Sequence, residues 1–442
     1  MGCRISVFGT GYLGATHAAC MAKLGHNVLG VDVDIAKLEK LSTGEAPFFE
    51  PHLDEVLGAA IKSGNLRFTA SYAEAAEFAE AHFIAVATPQ KQGEFAADLT
   101  YVESVITELA PLLEKPAVIY GKSTVPVGTA TRLAEVVYRL APAGEGVEVA
   151  WNPEFLREGF AVEDTLHPDR IVLGIDPVRG GFAEHLARVI YQTMIDDGVP
   201  FLVTNRETAE LAKSAANAFL ATKISFINAM SEICDASGAD VVELADAMGH
   251  DDRIGRKFLN AGIGFGGGCL PKDIRALMAR AGEVGANQAL TLLREVDSIN
   301  MRRRAQIAEV VSELVGGSLI GVKVAVLGAA FKPNSDDIRD SPALNIAGQM
   351  QLQGASVSVF DPKACDNARK HFPTLHYAAT IREACAGSDI TLVLTEWNVF
   401  RSLTPSDLAD VVRSRRILDG RNCLDRRLWR DAGWVYRGVG TQ

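Results

Sequence analysis

No Cys-x-x-Cys pair and no His-Glu-x-x-His run occurs in the 442 residues, and the seven cysteines stand far apart, at 3, 20, 234, 269, 365, 385 and 423. An odd number of scattered cysteines suits reduced thiols, and neither a disulfide framework nor a zinc site is expected, so no metal is predicted. Basic residues are in the minority: 44 Lys and Arg stand against 55 Asp and Glu, a net charge of −11. They form no stripe with interleaved aromatics, which argues against a nucleic-acid partner. An anionic small substrate would need its own local group of basic side chains. No uncharged apolar run approaches the roughly 20 residues of a membrane span. The opening residues, Met1-Gly2-Cys3-Arg4-Ile5, lead straight into strand-like sequence. The expectation is a soluble, cytoplasmic protein without a membrane partner.

What the sequence does contain is regular alternation. Short runs rich in Val, Ile and Ala at 4–8, 27–32, 82–87, 117–121 and 170–173 are separated by helical patterns such as 12–24 and 100–114. This predicts a parallel, doubly wound α/β sheet. From about Asn205 the pattern turns helical: Ala209, Leu211, Ala212, Ala215, Ala216, Phe219, Leu220, Ile224, Ile227 and Met230 recur at helical spacing. Such a stripe belongs at a helix–helix interface, either within the subunit or across a homodimer or larger homo-oligomer. A second α/β series begins at Val322–Gly328, with strands near 356–360, 389–394 and 416–418. The predicted fold is two Rossmann-like doubly wound domains, 1–204 and 315–442, joined by a central helical region, 205–314, that links and dimerises.

The first βα turn is Gly9-Thr10-Gly11-Tyr12-Leu13-Gly14. In a dinucleotide-binding turn, Gly9 permits the tight bend, Gly11 lets backbone amides approach a pyrophosphate, and Gly14 lets the helix pack closely on the strand. The second strand ends in Val31-Asp32, the spacing expected of the carboxylate that accepts from the adenosine ribose and repels a 2′-phosphate. NAD is therefore favoured over NADP, with Lys37 tempering the preference. Thr88-Pro89 and Ser123-Thr124 follow further strands and should face the same carboxyl edge, unless their hydroxyls only cap helices.

From Gly262 to Gly268 five of seven residues are glycine, followed by Cys269-Leu270-Pro271-Lys272-Asp273. A backbone this bare suggests close approach of a ligand. Pro271 is suited to opening a helix, whose N-terminus together with Lys272 would favour the Cys269 thiolate. The alternatives are a buried structural cysteine and, for Asp273, a carboxylate that only stabilises the helix start. Lys213 and Asn217 are four apart, so they share a helical face on which an ammonium and an amide could hold an oxyanion or a sugar hydroxyl. A solvated lysine and a satisfied asparagine are the plainer reading. Asn152–Gly159 adds the carboxylates Glu154 and Glu158.

These segments, together with Lys122-Ser123-Thr124-Val125-Pro126, Phe331-Lys332-Pro333, Arg339 and Asp419-Gly420-Arg421, resemble the UDP-glucose/GDP-mannose dehydrogenase family in sequence order and over nearly the whole chain. Asp252–Leu259 and Cys269–Asp273 look most like the branch acting on UDP-glucose, with GDP-mannose the nearer rival. The resemblance implies a four-electron oxidation of the sugar C6 alcohol to a carboxylate, using two NAD in succession. By it, Cys269 carries a thiohemiacetal and then a thioester, Asp273 is the general base, and Lys213 stabilises oxyanions. Glu154 assists thioester hydrolysis, while Thr124 and Asn217 orient the site.

Cofactor contacts are implied for Gly9, Gly11, Tyr12, Leu13, Gly14, Asp32, Lys37, Thr88, Pro89, Ser123, Thr124, Glu158 and Arg339. Substrate contacts are implied for Glu154, Phe155, Leu156, Lys213, Asn217, Phe258, Leu259, Phe265, Gly266, Phe331, Lys332 and Arg421, and for Arg253 toward the neighbouring subunit. Position 268 is Gly where many relatives carry Ser. A two-electron β-hydroxyacid-type dehydrogenase and an NAD-sensing scaffold are the competing readings. Neither has a use for the whole set Glu154, Lys213, Asn217, Cys269 and Asp273.

Overall fold

Strand β1 (Arg4–Phe8) shows why the first sheet has two covered faces: Ile5 and Val7 enter one apolar cluster and Phe8 the other. The structure, a computed structural model, describes residues 2–441. The remaining strands are β2 (Asn27–Val31), β3 (Leu66–Thr69), β4 (Ala81–Ile84), β5 (Ala117–Gly121), β6 (Val147–Trp151), β7 (Ile171–Ile175) and β8 (Phe201–Asn205). They lie in the order β3-β2-β1-β4-β5-β6-β7-β8. One face is covered by helices that include Tyr12–Lys23, Leu53–Lys62 and Gly181–Ile190, the other by Thr100–Leu109 and Thr129–Leu140. Pairing is parallel, as the predicted doubly wound sheet requires, except between β6 and β7, where Trp151 meets Gly174 antiparallel. The predicted helix 100–114 stops at Leu109 and tightens into a 3-10 turn containing Pro111, which cannot donate to the preceding turn.

The second sheet comprises β9 (Lys323–Leu327), β10 (Ser356–Phe360), β11 (His376–Tyr377), β12 (Ile390–Val393), β13 (Arg416–Asp419) and β14 (Val435–Gly438). Its order, β11-β10-β9-β12-β13-β14, is parallel throughout and repeats the 3-2-1-4-5-6 order found in the first six strands of the other sheet. In both sheets the order reverses beside the first strand, the crevice where open α/β folds bind ligands.

The chain divides into two units, Met1–Ala216 with Arg275–Val284, and Asn217–Ile274 with Gly285–Gln442. Residues 205–314 are thus shared between them, and among the described residues this stretch is helical or irregular, with no strand after Asn205 until Lys323. The helix Arg206–Ser237 buries Lys213, Asn217, Ala221, Asn228 and Ser231. It leaves Phe219, Phe226 and Ile233 exposed at 65%, 43% and 57%. The predicted apolar stripe is therefore partly uncovered within the chain. No helix among the described residues is long and apolar enough to cross a membrane.

Candidate functional site

Three glycines shape the first turn for different reasons. Gly9 has φ +88°, and a Cβ on Gly14 would lie 1.7 Å from the Gly9 carbonyl oxygen, so the close packing of helix on turn requires both. A Cβ on Gly11 would meet nothing within 4 Å, although Gly11 stands at the N-terminus of Tyr12–Lys23. Its bareness serves no packing purpose and leaves the helix start open to an anion. Tyr12 lies beside the Phe48 ring, centroids 4.2 Å apart, and Leu13 is half-buried behind the turn.

Asp32 follows β2. Its Oδ2 accepts from Thr10 N and Oγ1, both at 2.8 Å, and from Lys37 Nζ at 2.9 Å, while Oδ1 accepts from Asp34 N. Burial works against the charge, but the donors of Thr10, Lys37 and Asp34 outweigh it and hold the carboxyl below the usual range. Lys37 is thus committed to Asp32. Oδ1 keeps acceptor capacity for a diol.

The corresponding residue after β10, Asp361, differs. Its Oδ2 accepts from Ala329 N, Ala330 N and Trp397 Nε1, and its Oδ1 from Lys363 N and Ala364 N. With 3% exposure and five donors, it is filled by the chain's own groups.

Other strand ends of the first unit carry the remaining predicted groups. Thr88 Oγ1 donates to Thr124 O at 2.8 Å, and Ser123 Oγ donates to Val86 O at 2.6 Å, so these hydroxyls tie neighbouring strand ends together. Pro89 is exposed and Thr124 half-buried beside them. Glu154 Oε1 accepts from Phe155 N at 2.8 Å and Leu156 N at 3.1 Å, while Oε2 pairs with Lys122 Nζ at 3.0 Å. The Phe155 ring carries Arg170 3.8 Å above its centroid and Lys213 Nζ at 5.6 Å, which gives two cations an apolar support. Glu158 is buried.

In the second unit the glycine-rich loop ends at Cys269, the one cysteine of the seven that is exposed. The helix Leu270–Glu283 follows, and Asp273 N bonds to Cys269 O at 3.0 Å, so thiol and carboxylate are one helical turn apart. Asp273 is 2% exposed; its Oδ2 accepts from Asn217 Nδ2 at 2.6 Å and its Oδ1 from Lys272 Nζ at 2.5 Å. Residues 261–267 are buried, and here the structure corrects the reading of the glycines. A Cβ on Gly266 would lie 2.2 Å from Asp340 O, and one on Gly267 would lie 2.7 Å from the Phe331 ring. Asn300 clamps the loop from a distant helix, accepting from Phe265 N at 2.8 Å and donating to Phe265 O at 3.0 Å. Close approach by the protein's own groups is sufficient to require glycine at 266 and 267.

A Cβ on Gly268 would reach 2.2 Å from the Arg339 guanidinium, which is held by a forked pairing to Asp337. Arg421 donates to Leu394 O at 2.9 Å and to Gly264 O at 3.3 Å, and pairs with Glu396 at 3.3 Å. Lys332 lies over the Phe331 ring at 5.2 Å. Phe331, Lys332, Arg339 and Arg421 thus collect around the loop that precedes Cys269. Arg253 does not join them: its side chain is 89% exposed and forks to Asp251. It shares an irregular stretch with Phe258, at φ +67°, and buried Leu259.

Residues 3–195 match the NAD binding domain of the UDP-glucose/GDP-mannose dehydrogenase family, 207–302 its central domain and 325–426 its UDP binding domain. The chain is 40% identical over 437 residues to the UDP-glucose 6-dehydrogenase of Rhizobium meliloti, with 99% of each covered. The chain belongs to this family. The UDP-glucose 6-dehydrogenase of Rickettsia typhi is 41% identical over 443 residues, again with 99% of both proteins covered. The solved UDP-glucose dehydrogenase of Pyrobaculum islandicum superimposes with a TM-score of 0.91 at 36% identity, covering 100% of this chain and 98% of that one. The protein is an NAD-dependent oxidoreductase, and its residues fit the cofactor: an open Gly11 at a helix start and an Asp32 with acceptor capacity to spare.

The sequence alone assigns no role to Lys122, Tyr191 or Asn152, three buried residues bonded to one another, of which Lys122 pairs with Glu154. One signal was present, a lysine directly after the wholly apolar run Ala117–Gly121, a place where a charge persists only if it is paired.

Proposed function

We propose that this protein oxidises UDP-glucose to UDP-glucuronate by four electrons through covalent intermediates on Cys269. The observation that carries the reading is the exposed Cys269 thiol one helical turn from the buried Asp273, itself held by Asn217 and Lys272. NAD, when bound, supplies the hydride acceptor for each of the two oxidations.

The C6 hydroxyl proton passes toward Asp273, through a water, as the C6 hydride departs and leaves an aldehyde. Cys269 Sγ then bonds to that carbon and the carbonyl oxygen is protonated, giving a thiohemiacetal. Loss of the second hydride and of the hydroxyl proton makes a thioester. Lys213 and Asn217 stabilise the oxyanions formed along this course. In the last step a water oxygen bonds to the carbonyl carbon, the C–S bond breaks with its electron pair leaving on Sγ, and Glu154 assists by taking up the water proton. Covalent capture keeps the aldehyde from escaping between the two oxidations.

Lys332 and Arg421 are assigned to the nucleotide diphosphate, and Arg339 to the cofactor. The exposed apolar residues Phe219, Phe226 and Ile233 are assigned to a homodimer contact. The test is the yield of NADH per sugar nucleotide oxidised, measured with UDP-glucose, GDP-mannose and UDP-N-acetylhexosamines. Two NADH per UDP-glucose, with the uronate as product, is the expected result. A ratio near one, or full activity in Cys269→Ser, overturns the thioester course.

A further inference from the structure

Lys122 sits at the end of β5, 4% exposed, where an apolar side chain would cost less to bury. Its ammonium has three acceptors: Glu154 Oε2 at 3.0 Å, Asn152 Oδ1 at 3.0 Å and the Tyr191 hydroxyl at 3.5 Å. These match the three donors of an ammonium one for one. Tyr191 donates to the same Asn152 oxygen at 2.7 Å, and Asn152 Nδ2 donates to Val172 O at 2.8 Å, so the amide is fixed from both ends. Burial disfavours the charge on Lys122, but Glu154 and Tyr191 outweigh it and raise its pKa above the usual value. The ammonium persists throughout the neutral range.

Asn152 and Tyr191 are buried at 3% and 5%. Glu154, whose side chain is 18% exposed, is the member through which this buried group reaches outward. Its carboxylate has about four acceptor positions. Phe155 N and Leu156 N occupy two on Oε1, and Lys122 occupies one on Oε2. A single position on Oε2 is left.

We propose that Lys122 is a positioning residue for the hydrolytic half of the reaction, acting through Glu154. It fixes the carboxylate from behind, so that the remaining acceptor position of Oε2 takes the attacking water. This rests on the assignment of Glu154 to thioester hydrolysis. Without the ammonium, Oε2 can turn about its anchored partner oxygen, and the water loses its place while the two oxidations keep theirs.

The test follows the thioester. Lys122→Met, Tyr191→Phe and Glu154→Gln are mixed with UDP-glucose and NAD, quenched, and weighed intact for an acyl adduct on Cys269. Glu154→Gln is expected to accumulate the adduct while still releasing a burst of NADH. Lys122→Met is expected to do the same, with kcat lowered about 10- to 100-fold and KM for UDP-glucose changed less than about threefold. Tyr191→Phe removes one acceptor from the ammonium and is expected to show a smaller adduct; it decides the matter if Lys122→Met does not fold. Adduct in Glu154→Gln, with none in the other two, overturns the role of Lys122. No adduct in Glu154→Gln overturns the assignment of Glu154 itself.

Discussion

Asn217 and Asp273 lie 56 positions apart in the sequence, yet the amide of the first donates to the carboxylate of the second across 2.6 Å. Lys272 takes the other oxygen, so the buried carboxylate faces a donor on each side. Both contacts suit a group that must stay an acceptor until a proton arrives.

Asp273→Asn replaces one of those oxygens with an NH2 group that opposes a donor. We expect kcat to fall by about 100-fold or more, with NADH affinity changed less than about threefold. Steady-state assays and fluorescence titration of NADH check this. Equal losses in both would indicate a structural role.

The turn glycines separate packing from ligand binding. Gly14→Ala forces a Cβ to 1.7 Å from Gly9 O and should destabilise the first unit by several kcal/mol, on the order of an overpacked core or more. Gly11→Ala meets no protein atom and should keep the melting temperature, while weakening NADH binding by roughly tenfold or more because the methyl group occupies the phosphate approach. Thermal unfolding and NADH titration of the two variants should give opposite patterns.

Glu210 accepts from Gly128 N at 2.7 Å and Ala130 N at 2.6 Å, which caps the start of the helix Thr129–Leu140. Burial nevertheless pushes its carboxyl up to about 7, against those donors. The folded protein thus holds this proton more tightly than the unfolded chain. The stabilisation is complete below the ordinary glutamate pKa, about 4.3, and is lost as pH rises through about 7. Glu210→Gln cannot titrate, so the difference in melting temperature between the two proteins should shift toward the variant from pH 5 to 8. A constant difference would refute the assignment.

The exposed apolar residues of Arg206–Ser237 give the dimer assignment its test. Phe219→Asp puts a charge on a surface already exposed in the single chain, so the fold should survive. Sedimentation should show a lower mass than the unaltered protein if that face is an interface. An unchanged mass would remove Phe219 from it.

Sheet edges explain what the sequence hid. The strands missing from the apolar runs picked out in the sequence are β3, β6, β8, β11 and β14, and all of these but β6 are the outermost strands of the two sheets. Inner strands such as β5 are buried throughout and read as continuous apolar runs, while β3 carries exposed Arg67 and β8 exposed Leu202 and Val203. An edge strand has fewer covered positions to write into its composition. At the site, Gly9, Gly11, Gly14, Asp32, Cys269 and Asp273 stood out because their spacing is local. The glycines before Cys269 did not disclose their reason, since Asn300, Phe331 and Asp340 meet them only after folding.

Asp361 closes the turn Gly328-Ala329-Ala330 after β9 with the chain's own amides, and the NAD binding domain carries the turn at Gly9 as the dinucleotide seat. On the proposed reaction, both oxidations of one carbon atom then queue at a single address. The reduced cofactor vacates it and a fresh one enters while the half-oxidised sugar waits, tethered to sulfur. The lifetime of that tether must exceed the exchange time of the cofactor, so the sulfur of Cys269 acts as a timer as well as a nucleophile.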